Sequence, residues 1–158
     1  MSVLEFCRWV QYSSPLVAMR GSPWIFPVIA TIHLVGLAMI TGAVLLVDLR
    51  LLGVGLQRQP VSVLARDAER WLVRGLFVTV STGILLFMCF ATKYYFLTFF
   101  WVKMAALLVV LALTFSVRRK VALADDTSAN RPSSKLIAVV SLALWTIVAV
   151  GGRYIGFP

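Results

Sequence analysis

Long apolar runs separated by short clusters of charge dominate the chain. Four runs reach the ~20 residues that a helix needs to cross a hydrocarbon layer about 30 Å thick. They extend from Trp24 to Leu49, Leu72 to Thr92, Tyr94 to Val117 and Leu136 to Ile155. None alternates with a strict period of two, which argues against a barrel. A segment in lipid must satisfy its own backbone hydrogen bonds, so each run is predicted as a helix. The expected fold is all-α: a single integral-membrane four-helix bundle over residues 1–158.

Ahead of the first run, Val3, Leu4, Phe6, Cys7 and Val10 recur at helical spacing, with Glu5, Arg8 and Gln11 largely elsewhere. This predicts a short amphipathic helix lying in the membrane interface. Glu5 and Arg8 interrupt the stretch, so it does not read as a signal peptide. Ser13-Ser14-Pro15 ends it, and Pro23 and Pro27 fall where the first span begins. Between the first two spans, residues 61–71 have the pattern of an amphipathic surface helix. The segment Asp125-Asp126-Thr127-Ser128-Ala129-Asn130 has turn composition.

Composition sharpens the membrane reading. The chain is 61% hydrophobic and 13% charged, against ~45–50% and ~25% in an ordinary soluble domain. The net charge of +9 raises nucleic-acid binding, but the location of the charges removes it. Arg50, Arg58, Arg66, Arg70 and Arg74 follow the first span, and Arg118, Arg119, Lys120, Arg131 and Lys135 follow the third. All ten fall on one side of a four-span topology, as the positive-inside rule places them. The expected topology is multi-pass, with both termini outside. The arginines then act as topology determinants and anionic-lipid contacts, with no nucleic-acid partner.

Ionisable residues inside the apolar layer are the candidates for function. His33 lies nine residues into the first span, and Lys103 nine residues after Tyr94. At 1.5 Å per residue both sit roughly 14 Å deep, on spans running in the same direction. Each is followed three residues later by a small residue, Gly36 and Ala106. Positions three apart share a helix face, and a small residue leaves room for a neighbouring helix or a flat ligand. Gly83 in the second span can do the same. Two simpler readings stand beside a shared site: His33 bonded to a neighbouring backbone or hydroxyl, and Lys103 snorkelling to the headgroups past Tyr94, Tyr95 and Trp101. Arg153 closes the last span and can pair with an anionic group or anchor the interface. Met39, Met88 and Met104 read as packing residues. Cys7 and Cys89 fit no metal or disulfide framework, and a single histidine supplies no zinc site.

Three stretches carry a resemblance. They are Trp24-Ile25-Phe26-Pro27 leading to His33-Leu34-Val35-Gly36 and Asp48-Leu49-Arg50-Leu51-Leu52-Gly53; Thr82-Gly83-Ile84-Leu85-Leu86-Phe87; and Trp145 with Gly152-Arg153-Tyr154-Ile155. Together they resemble an uncharacterised bacterial family of small four-helix membrane proteins. An early histidine with Trp101-Val102-Lys103-Met104 more distantly resembles the HemJ-type protoporphyrinogen oxidases. That likeness implies haem b with His33 and Lys103 as axial ligands. Where that family has an Asn-Glu-x-Pro-like stretch, this chain has Gly151-Gly152-Arg153. There is a general likeness to copper-resistance D-type membrane proteins, carried by helix number and the early histidine.

Three functions follow as expectations. The first is a haem b protein exchanging electrons with a quinone or an outer-side redox partner. The second is a non-catalytic accessory subunit of a membrane complex. The third is a small transporter, which with four spans requires a homo-oligomer. The cofactor-binding set expected for the first is His33, Lys103, Gly36, Ala106 and Arg153, with His33 and Lys103 as iron ligands.

Overall fold

The computed structural model describes residues 2–54, 58–122 and 132–156; the side chains of residues 117–122, Arg153, Ile155 and Gly156 are not described. Seven helices fill the described residues. They are α1 (Val3–Gln11), α2 (Ser14–Gly21), α3 (Ile25–Leu52), α4 (Val61–Cys89), α5 (Ala91–Phe96), α6 (Thr98–Ala122) and α7 (Pro132–Gly156). Four of them, α3, α4, α6 and α7, are long and apolar enough to cross a membrane. The protein is a multi-pass membrane protein built as an all-α bundle.

Packing runs around a ring: α3 on α4, α4 on α6, α6 on α7 and α7 back on α3. Among the described residues neither diagonal pair, α3 with α6 or α4 with α7, packs to a comparable extent. Sequence spacing explains the ring. Along α4 the buried positions Val61, Ala65, Ala68, Leu72, Gly75 and Thr79 advance in alternating steps of four and three. Along α3 they are Gly36, Ile40, Ala43 with Val44, Val47 with Asp48, and Leu51. Along α6 they are Ala106, Val110 and Thr114, and along α7 Ala138, Ser141, Trp145 and Val148. Steps of three and four keep one narrow stripe facing inward, as in a supercoiled bundle. Ile40, Leu72 and Val110 are fully enclosed. Large apolar side chains such as Phe77, 76% exposed, and Leu108, 66% exposed, face outward, where lipid is the solvent.

The α3–α4 contact is the closest. A Cβ on Gly36 would lie 2.5 Å from Thr79 Oγ1, and one on Gly75 would lie 3.0 Å from the Gly36 carbonyl. Two glycines facing one another let the backbones approach, the standard device for helix contact in lipid. Gly53, at φ 79°, ends α3 with its N–H on the Arg50 carbonyl, a left-handed cap that favours glycine.

At the end of the bundle where α3 begins, α1, α2 and α5 form a cap. A Ser2–Glu5 capping box starts α1. Its Cys7 and Val10 are buried, whereas Trp9 is 69% exposed. Gln11 accepts from the Thr92 N–H at 2.9 Å, and Arg20 donates to the Cys89 carbonyl at 2.9 Å. Tyr94 stacks on Phe100 at 5.7 Å, and Phe26 meets Phe90 edge-on at 5.4 Å.

Several expectations need correction. The helix expected over residues 61–71 is not separate, because its buried stripe continues without a break into α4. The second span ends at Cys89, not Thr92. The third begins at Thr98, since the chain breaks at Leu97 after the short α5. Lys103 is therefore only about 7 Å into its helix, not 14 Å, at 1.5 Å per residue. Helix α2, with Pro15 in its first turn, was not anticipated: Ser13-Ser14-Pro15 ends one helix and starts the next. The segment from Asp125 to Asn130, with Arg131, lies outside the described residues, as do the side chains of Arg118, Arg119 and Lys120.

Candidate functional site

Two apolar clusters divide the bundle along its axis. The cap cluster joins Val10, Leu16 and Cys89 with Met19, Phe26, Met88 and Phe90. The main core begins at Ile40, Ala106 and Val148 and runs away from the cap through Leu72, Val110 and Trp145. The layer between them contains His33, Thr82 and Gly83 on one side and Lys103, Gly151 and Gly152 on the other.

His33 stands one turn before Gly36 on the inward stripe of α3. Its Nδ1 lies 3.0 Å from Thr82 Oγ1. A Cβ on Gly83 would lie 3.1 Å from His33 Cε1 and 3.6 Å from Nδ1. Gly83 thus opens the space that the imidazole occupies. The Nδ1–Cε1 edge faces α4, so the Nε2–Cδ2 edge is turned away from it. The Thr79 backbone also interacts with the ring.

Lys103 stands one turn before Ala106 on the inward stripe of α6. A Cβ on Gly151 would lie 3.5 Å from Lys103 Cβ, and one on Gly152 would lie 3.4 Å from Nζ. The side chain therefore lies along the bare backbone of α7, toward the bundle, instead of only past the aromatic residues to the headgroups. Phe99 on Tyr154, 5.4 Å between ring centroids, packs the same α6–α7 pair one turn closer to the cap. Lys103 is within electrostatic reach of His33, although the two belong to diagonally opposed helices. Neither residue is fully buried.

The remaining expected site residues fall in different places. Gly36 is buried, but Thr79 and Val78 fill the space it opens, so its role is the α3–α4 crossing. Ala106 is buried in the main core beneath Lys103. Arg153 lies on α7, but its side chain is outside the described residues. Thr82 and Gly152 were missed as parts of the site. The stripe spacing on α4, extended three residues beyond Thr79, leads to Thr82 and could have found it. Among the described residues no three His, Cys, Asp or Glu side chains converge, so any metal held here would rest on the histidine and lysine pair.

A histidine and a lysine on facing helices can grip a ligand from two sides, which is how cofactor sites in bundles are built. Apolar clusters above and below limit water access. No curated protein and no solved structure matches the chain. Residues 24–158, which hold all four spanning helices and both candidate ligands, match the family of unknown function DUF6644, and the chain belongs to that family.

Proposed function

We propose that the protein binds haem b through His33 and Lys103 and takes part in membrane electron transfer. The observation that carries this reading is the pair itself. Two nitrogen donors stand on opposed helices in a layer between two apolar clusters, and each has a glycine beside it on a neighbouring helix. When bound, haem supplies the one-electron chemistry. The residues of the chain do the rest. His33 would offer Nε2, on the ring edge turned away from α4. Lys103 would offer Nζ, as the neutral amine. The two apolar clusters exclude water.

The proposed setting is the bacterial cytoplasmic membrane, with both termini outside and the arginine-bearing ends inside. The distribution of basic residues supports it. Electrons would pass between the haem and a quinone or an outer-side partner, in a homo-oligomer or a larger complex. A cysteine introduced at Gln59 should label from the cytoplasmic side only; labelling from outside would reverse the topology.

A second reading has its own support. The His33–Thr82 contact is a satisfied interhelical bond, as an accessory subunit without a cofactor would also need. The two readings separate on one measurement. Protein purified after expression with haem supplied and partners present should show a Soret band. Lys103→Ala should alter its spin state while leaving the helix intact, since alanine suits a helix. Colourless protein, with only stability losses from the same substitutions, would leave the accessory reading standing.

A further inference from the structure

We infer that Thr82 is a positioning residue that locks His33 in the Nδ1–H tautomer and so reserves Nε2 as the ligand atom. Thr82 Oγ1 lies 2.6 Å from the Val78 carbonyl oxygen. Two oxygens at that distance need a hydrogen between them. The carbonyl has none, so the hydroxyl hydrogen of Thr82 points at Val78. A hydroxyl has a single hydrogen. Toward His33 it can therefore only accept, and Nδ1, 3.0 Å away, must donate.

With Nδ1 protonated, the neutral ring carries its lone pair on Nε2, on the edge turned away from α4. Gly83 reinforces this by letting the other edge seat against the helix backbone. This is the arrangement by which an outer-shell acceptor fixes the tautomer and orientation of a metal-binding histidine. The tautomer itself does not depend on haem; its use as an iron ligand rests on the proposed haem reading.

His33 is the only histidine in the chain, so ¹⁵N-histidine labelling of the full-length protein gives the spectrum of this one side chain. Haem-free protein in lipid nanodiscs, at about pH 8 and above the ordinary histidine range, should show a protonated Nδ1 and an unprotonated Nε2. Thr82→Val, which keeps the shape and removes the acceptor, should yield a mixture of tautomers. Thr82→Ser should restore the wild-type pattern. An unprotonated Nδ1 in the wild type overturns the inference, as does a Thr82→Val spectrum identical to the wild type. If the wild-type pattern appears but haemin gives no His33-dependent Soret band, the tautomer stands and the haem reading fails. If haem binds, Thr82→Val should weaken its retention about 10–100-fold, with Thr82→Ser near wild type.

Discussion

The two halves of the bundle interior are built on the same helical stripes and filled differently, the half away from the cap being mainly apolar, with Asp48, Thr114 and Ser141 buried within it. Away from the cap, the stripe carries Ile40, Leu72 and Val110, all fully enclosed, with Trp145 beside them. Nearer the cap, the same stripes carry His33, Thr82, Lys103 and Gly152. The first half is packed for contact. In lipid there is little hydrophobic gain from bringing helices together, so such contact must come from close fit. The second half gives up apolar fit for polar groups and bare backbone. A region that only held helices together would not need an imidazole seated on a glycine and an amine lying along a second one. The contrast separates what assembles the bundle from what the bundle presents.

The sharpest break of that contrast is at the α3–α4 crossing. In Gly75→Leu the added Cβ would lie 2.9 Å from Ile40 and 3.0 Å from the Gly36 carbonyl. Backbone cannot yield as a side chain tip can, so the overpacking costs upward of about 3 kcal/mol. Folded protein in detergent, followed by size-exclusion chromatography, should be largely lost. Next comes a paired test. His33→Ala should abolish the Soret band, or leave a loosely held five-coordinate haem, while thermal unfolding changes little. Leu72→Ala should do the reverse, keeping the spectrum and losing about 2 kcal/mol of stability, the low end for such a cavity because lipid is itself apolar. If both substitutions moved both readouts equally, the two halves would not be separable.

Smaller effects follow from the glycines of the polar layer. In Gly83→Ala the new methyl would sit 3.1 Å from His33 Cε1, so the ring must shift by a few tenths of an ångström. A weakened, shifted Soret band with an unchanged melting temperature is the expected result. The least disruptive is Gly152→Ala, whose methyl would meet Lys103 Nζ at 3.4 Å, an ordinary contact. It should leave binding near wild type, and a loss as large as that of Gly83→Ala would mean that Lys103 needs the α7 backbone more closely than the distance implies.

Much of this was legible in the residues alone. Apolar length identified the four spans, because the thickness of the hydrocarbon layer sets a length that composition can be checked against. His33 and Lys103 stood out because an ionisable group in that layer is costly and therefore rare. The errors were of one kind. Residues 61–71 read as a surface helix because Arg66, Asp67, Glu69 and Arg70 give them a polar face. Their other face holds Val61, Ala65 and Ala68 in register with the rest of α4. The third span was started too early because Tyr94 and Tyr95 are apolar enough to extend it. Tyr94 instead stacks in the cap, and Trp101 Nε1 donates to the Tyr95 carbonyl at 3.0 Å across the break.

The sequence by itself determined the helical class, the number of spans and the two unusual side chains within them, since each follows from local composition and the length of a run. Only the tertiary structure decided what those side chains meet. That Gly36 serves a helix crossing, that Gly83 and Gly152 flank the two candidate ligands, and that Thr82 accepts from His33 all depend on which stripe faces which neighbour. His33 and Thr82 are 49 residues apart, and nothing local relates them. The antiparallel register of α3 on α4, fixed by two glycines that let the backbones meet, brings them within hydrogen-bonding distance.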